Sequence, residues 1–103
     1  MTLRLHRLAE GEFREAIRWY RMEAGEVAMR FHQAVFDTLS QIESDPSAFP
    51  VLETIGEATH LRRARVFGFP YVVIFELLDQ EIYVFAVAHT SRRPRYWRRR
   101  ERS

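Results

Sequence analysis

The hydrophobic period changes once along the chain, and that change restricts the fold more than any motif does. Between about residues 9 and 44 apolar side chains recur every three to four positions; from 61 to 89 they recur every second position. Ala9, Phe13, Ala16, Ile17 and Tyr20 form one stripe, which predicts a helix from about Ala9 to Ala24 with Gly25 as its stop. Glu10 and Glu12 then fall in its first turn, and Arg18 and Arg21 nearer its end, as the helix dipole favours. Val27, Phe31, Val35, Leu39 and Ile42, widened by Ala28, Ala34 and Phe36, predict a second helix from about Glu26 to Ser44. Asp45-Pro46 ends it, because the residue before proline avoids the α region. The break between the helices is so short that they fold back as an antiparallel hairpin.

The alternating segments are strands. Leu3 to Arg7 is short and sits near a sheet edge. Leu61 to Phe67 sets Leu61, Arg63, Arg65 and Phe67 against Arg62, Ala64 and Val66. Gly68-Phe69-Pro70 makes a turn, Tyr71 to Leu78 reads as a strand covered on both faces, and Asp79-Gln80 turns the chain again. In Glu81 to His89, strict alternation places Ile82, Val84, Ala86 and Ala88 opposite Tyr83, Phe85, Val87 and His89. The apolar loop 47–59 is expected to pack on the core. The expected architecture is α+β, in the order β-α-α-β-β-β. A helical hairpin packs on a mainly antiparallel four-stranded sheet whose other face stays partly open.

The sequence has 103 residues and no cysteine, so a disulfide framework, a thiolate metal site and a cysteine nucleophile are excluded. No run approaches the ~20 apolar residues of a membrane span, and MTLRLHRLAEGEF lacks the apolar core of a signal peptide. A single cytoplasmic domain over residues 1–103 is expected, with 90–103 as a basic aromatic tail. Charge is unevenly spread. Residues 1–59 carry six arginines and ten acids, a net of −4; residues 60–103 carry ten arginines and four acids, a net of +6. The C-terminal half therefore calls for an acidic or polyanionic partner. His6, His32, His60 and His89 lie on separate elements without metal-ligand spacing, and the glycines are isolated. No metal, cofactor, membrane or small-molecule substrate is expected.

Four stretches together resemble one family. FREAIRWY is similar to its A-x-x-W-Y stretch, and RFHQAVFDTLSQIESDPSAFP to its R-F-x-x-A passage closing on P-x-x-F-P. HLRRARVFGFPYVVIFEL resembles its arginine-rich strand followed by F-P-Y, and VFAVAHTSRRPRYWRRR its closing V-x-A-V-x-H-x-x-R-x-P-x-Y-W-x-x-R. The family is that of the RelE/ParE toxins, and the resemblance runs along essentially the whole chain. It implies a growth-arresting toxin of a type II toxin–antitoxin system, used in plasmid stabilisation and silenced by a cognate antitoxin. Some relatives cut mRNA on the ribosome, as RelE does; others block DNA gyrase, as ParE does. Fold alone does not choose between them.

The residues offer a candidate set for each. Metal-independent RNA cleavage needs a proton acceptor, a proton donor and a cation on the transition state. His89, Tyr96, Arg92 and Arg65 are the candidates, with Glu53 as a possible base in the loop. Arg63 and Arg65, about 7 Å apart by strand rise, are placed to clamp a phosphate. The RelE-like enzymes carry lysines in their active region and this chain has none; the reading therefore favours gyrase. For antitoxin or target binding the candidates are Trp19, Arg62, Arg63, Arg65, Arg93 and Trp97, with Tyr96 and Trp97 also read as an anchor for the tail. A nucleic-acid-binding module is the third reading, since seven of the last twelve residues are arginine and interleave with Tyr96 and Trp97.

Overall fold

A computed structural model describes residues 2–52 and 61–100. The elements run β1 (Thr2–Leu5), α1 (Arg7–Glu23), α2 (Gly25–Ser44), a 3-10 turn (Pro46–Ala48), β2 (Leu61–Arg65), β3 (Tyr71–Leu78) and β4 (Glu81–His89). One sheet holds all four strands in the order β1-β4-β3-β2. β2, β3 and β4 form an antiparallel meander, and β1 returns parallel to β4. Glu53 lies outside the described residues.

Two junctions differ from expectation for identifiable reasons. The first strand ends at Leu5 because His6 caps α1: its Nδ1 accepts from the Leu8 amide at 3.0 Å, as an Asn or Asp side chain would. Glu12 consequently lies beyond the first helical turn. Gly25 does not stop α1 but begins α2. A single extended residue, Ala24, divides the helices; its amide donates to the Tyr20 carbonyl, and its carbonyl accepts from Val27 at 3.0 Å. The hairpin closes on Phe13, which meets Phe31, His32 and Phe36 across it.

The main core lies between hairpin and sheet. Ala9, Ala16, Phe31, Val35 and Ile42 meet Ala64, Val73, Phe75, Ile82, Val84 and Val87. A second cluster covers the opposite face: Leu61, Val72, Ile74, Tyr83, Phe85, Ala86, Ala88 and Trp97. The face expected to be partly open is thus covered in its middle by the C-terminal tail. Strict alternation fails in β4. The register shifts between Ile74 and Phe75, so that Ile74 faces Ala86 while Phe75 faces Val84. Phe85 is the extra residue of a bulge. Beyond it Ala86 and Ala88 join Tyr83 and Phe85 on the tail side, and Val87 joins the helix side. A one-residue slip reverses every later side chain.

The β3–β4 turn has positive φ at both Asp79 (52°) and Gln80 (67°), the geometry of a two-residue I′ hairpin. A side chain in the left-handed region is strained where glycine is not. Gln80→Gly should therefore raise stability by roughly 0.5–1 kcal/mol, seen as a higher denaturation midpoint with an unchanged slope. A lower midpoint would show that the Gln80 side chain contributes more than the strain costs.

Candidate functional site

The exposed end of the tail-side sheet face carries an arginine cleft of about 360 Å³. Its floor is apolar: Val72 and Ile74 of β3, Ala88 of β4, and Trp97 from the tail. Its walls bear Arg63 from β2 and Arg92, Arg93 and Arg95 from the tail, with Thr90 and Pro94 between. None of the described residues that line it is a carboxylate. Arg63 is exposed because it stands opposite Ile74 in the antiparallel register, on the face away from the helices. Arg65 is also exposed and stands opposite Val72, two positions further along the same face. Among the described residues the side chains of Arg63, Arg65 and Arg93 make no ion pair.

The tail that builds one wall is fastened by a residue that sequence reasoning did not select, Glu12 of α1. Its Oε1 accepts from the Val87 amide at 3.0 Å and from Arg100 at 2.9 Å. Its Oε2 accepts from Arg100 at 2.9 Å and from the Tyr96 hydroxyl. Arg100 also donates to the Phe85 carbonyl at 2.8 Å. Phe85 and Val87 lie past the last residue of β4 that β1 pairs, Val84, so Glu12 and Arg100 satisfy sheet-edge groups that no strand among the described residues reaches. The Tyr96 ring carries Arg92 at 4.0 Å and Arg100 at 5.2 Å from its centroid. Burial, and then the Glu12 hydrogen bond and charge, push the Tyr96 phenol well above its ordinary pKa. Burial works against the Arg100 charge, but the Glu12 bonds outweigh it and hold that pKa above its ordinary value. Nothing local in the sequence marks Glu12. Its partners lie 75 to 88 positions away.

The expected site residues are thus divided. The cleft gathers Arg63, Arg92, Arg93 and Trp97, with Arg65 beside it. Trp97 is only 6% exposed and packs as the cleft floor and as an anchor for the tail. Arg62 faces the other way and gives its guanidinium to the Phe49 carbonyl at 2.7 Å and the Ser47 carbonyl at 3.3 Å, holding the segment after α2. Tyr96 donates its hydroxyl to Glu12. His89 borders the cleft, but the bulge has moved it off the Arg63 face, and its ring stands edge-on to Tyr71 at 5.0 Å. Its Nδ1 accepts from the Ser91 amide at 3.0 Å, so the neutral ring carries its proton on Nε2. Trp19 lies elsewhere, on α1, and is 57% exposed; with Leu8, Gly11 and Glu15 it borders a hollow of about 420 Å³.

Among the described residues no group of three or more His, Asp or Glu could hold a metal, and no helix is long and apolar enough to cross a membrane. No curated protein matches the sequence. The fold matches a solved structure described as the chromosomal ParDE TA system from P. aeruginosa, with a TM-score of 0.74 over 88% of this chain and 97% of that one, at 16% identity. The family described as the ParE toxin of the type II toxin–antitoxin system parDE matches residues 3–94. With that match spanning most of its length, the chain belongs to the ParE toxin family of type II toxin–antitoxin systems.

Proposed function

We propose that this toxin arrests growth by blocking DNA gyrase, and that a cognate antitoxin silences it by masking the arginine cleft. The family match over residues 3–94 carries the reading. Blocking a target needs only a complementary surface, and the cleft offers one, cationic at the rim and apolar at the floor. The mRNA-cutting alternative asks for an acid and a base beside the arginines. Of the groups named for those roles, the Tyr96 hydroxyl is given to Glu12, and the His89 ring, at the border of the cleft, packs edge-on to Tyr71. The test is a brief expression pulse with mRNA ends and DNA breaks mapped together, alongside supercoiling by purified gyrase. DNA breaks with intact mRNA and inhibited supercoiling are expected; codon-phased mRNA cuts with undamaged DNA would sink the gyrase assignment.

An antitoxin also needs an apolar anchor, because charge alone gives steering more than affinity. Leu8 and Trp19 supply one on α1, at 42% and 57% exposure. An amphipathic antitoxin helix laid along that hollow would bury the Trp19 indole. Trp19→Ala should then weaken antitoxin binding more than tenfold, about 2 kcal/mol for an aromatic hot spot, with an unchanged melting temperature. Calorimetric titration of the variant with antitoxin measures this, and an unaltered Kd would remove Trp19 from the interface.

A further inference from the structure

We propose that the arginine cleft is a phosphodiester site that seats one nucleotide of a single nucleic-acid strand, with the adjoining phosphates on Arg65 and Arg93. This deepens the reading above and rests on it for the biological setting, but the binding is measurable without gyrase.

The charge arrangement comes first. Among the described residues four arginines and no carboxylate line the cleft, and Arg63 and Arg93 have no ion-pair partner there. Like charges gathered from two segments some thirty positions apart repel unless an anion joins them. All are arginines, whose planar fork matches phosphate oxygens in bidentate fashion. The floor then narrows the choice of anion. Val72, Ile74, Ala88 and Trp97 present an apolar base beneath the cationic rim, which suits a ligand with a flat apolar part and flanking charge. A nucleotide has that form, and about 360 Å³ lies within the range of small-ligand sites. A duplex keeps its bases stacked and cannot present one to the floor; a single strand can. Finally, the cationic track outruns the cleft. Arg65 projects from the same face as Arg63, roughly 7 Å further along the strand, so the fitting ligand is longer than one nucleotide. An acidic peptide would answer the rim but leaves the floor without a matching planar group.

The experiment uses the full chain freed of antitoxin and two fluorescent single strands of about 12 nucleotides, one oligo(dT) and one oligo(U), followed by anisotropy across a salt series. Binding is expected, with a log–log salt slope near −2 for about three phosphates. The double variant Arg63→Gln/Arg93→Gln should bind at least about tenfold more weakly, its slope reduced by roughly 1.4. Arg14→Gln, on exposed α1, should match the parent. Preference for oligo(dT) supports the site and a DNA-bound target; preference for oligo(U) supports the site and counts against gyrase. Absence of binding to either strand, a double variant with the parent's slope, or equal displacement by polyglutamate overturns the proposal. If a chain that binds neither strand still inhibits supercoiling, this proposal fails and the gyrase reading stands. A chain that binds both strands and leaves gyrase untouched gives the reverse result.

Discussion

Glu12→Ala is expected to destabilise the toxin by about 3 kcal/mol, the lower end of the cost of stripping one partner from a buried ion pair, because this pair is largely but not fully covered. Both side chains are largely covered, at 12% exposure for Arg100 and 15% for Glu12. The substitution leaves the Arg100 charge without its carboxylate, the Val87 amide without an acceptor and the Tyr96 hydroxyl without a partner. A domain of this size has ~5–15 kcal/mol in total, so the melting temperature should fall by at least about 12 °C. Glu12→Gln retains an acceptor and should cost less. Arg100→Met leaves Glu12 bonded to Val87 and Tyr96, and the double variant Glu12→Ala/Arg100→Met should cost less than the two singles summed, since each single already breaks the pair. Chemical denaturation of the four proteins gives the cycle. A loss under about 1 kcal/mol, or strict additivity, would reduce the latch to an ordinary surface pair.

The latch also explains why stability and function are linked in this molecule. Glu12 fixes Tyr96, the Tyr96 ring supports the Arg92 guanidinium, and the same tail places Arg93 on the cleft wall. An α1 residue thus positions cations that no helical pattern would associate with it. Any variant that frees the tail removes one wall of the cleft while Arg63 and Arg65 stay on the meander.

Particular residues show what could be read from the sequence. Phe31, Val35 and Ile42 announce their burial through helical spacing, and all three are fully buried. Ala64 does so through strand alternation, and Val73 and Phe75 through the unbroken apolar run of a strand covered on both faces. Such signals are local, a few residues long, and fix the order of elements and the faces they bury. The parallel pairing of β1 with β4 has no local signature, because it joins positions some eighty residues apart. Nor does the bulge at Phe85, which costs a single unpaired residue yet reverses the sidedness of Ala86, Val87, Ala88 and His89. That reversal, more than any property of imidazole, puts His89 on the face opposite Arg63 and Arg65, although it still borders the cleft. Arg62 and Arg63 are adjacent and chemically identical; the pleat sends one to the Phe49 carbonyl and the other to the cleft. The pleat was legible, but the acceptor awaiting Arg62 was not. The tail's composition disclosed its charge, while its docking depends on a glutamate in α1.

Trp97→Ala should produce the second large effect, and a different one. Truncating a buried aromatic costs about 3–5 kcal/mol, and Trp97 is 6% exposed within the cluster that covers the tail side of the sheet. Phe31→Ala should cost a similar ~3–5 kcal/mol, since that ring is fully buried against Phe13, Tyr20, Phe69 and Tyr71. The two differ in what survives. Phe31 lies on the helix side, so molecules that remain folded keep an intact cleft; Trp97 is the cleft floor, so they do not. Below both melting transitions, Phe31→Ala should retain target binding per folded molecule, and Trp97→Ala should lose it. The chain has only one other tryptophan, Trp19, which is exposed. In a Trp19→Phe background the emission therefore reports Trp97 alone, blue-shifted while the tail is seated and red-shifted when Glu12→Ala releases it. Equal binding by the two alanine variants at matched folded fractions would mean that the tail stabilises the sheet without shaping the site.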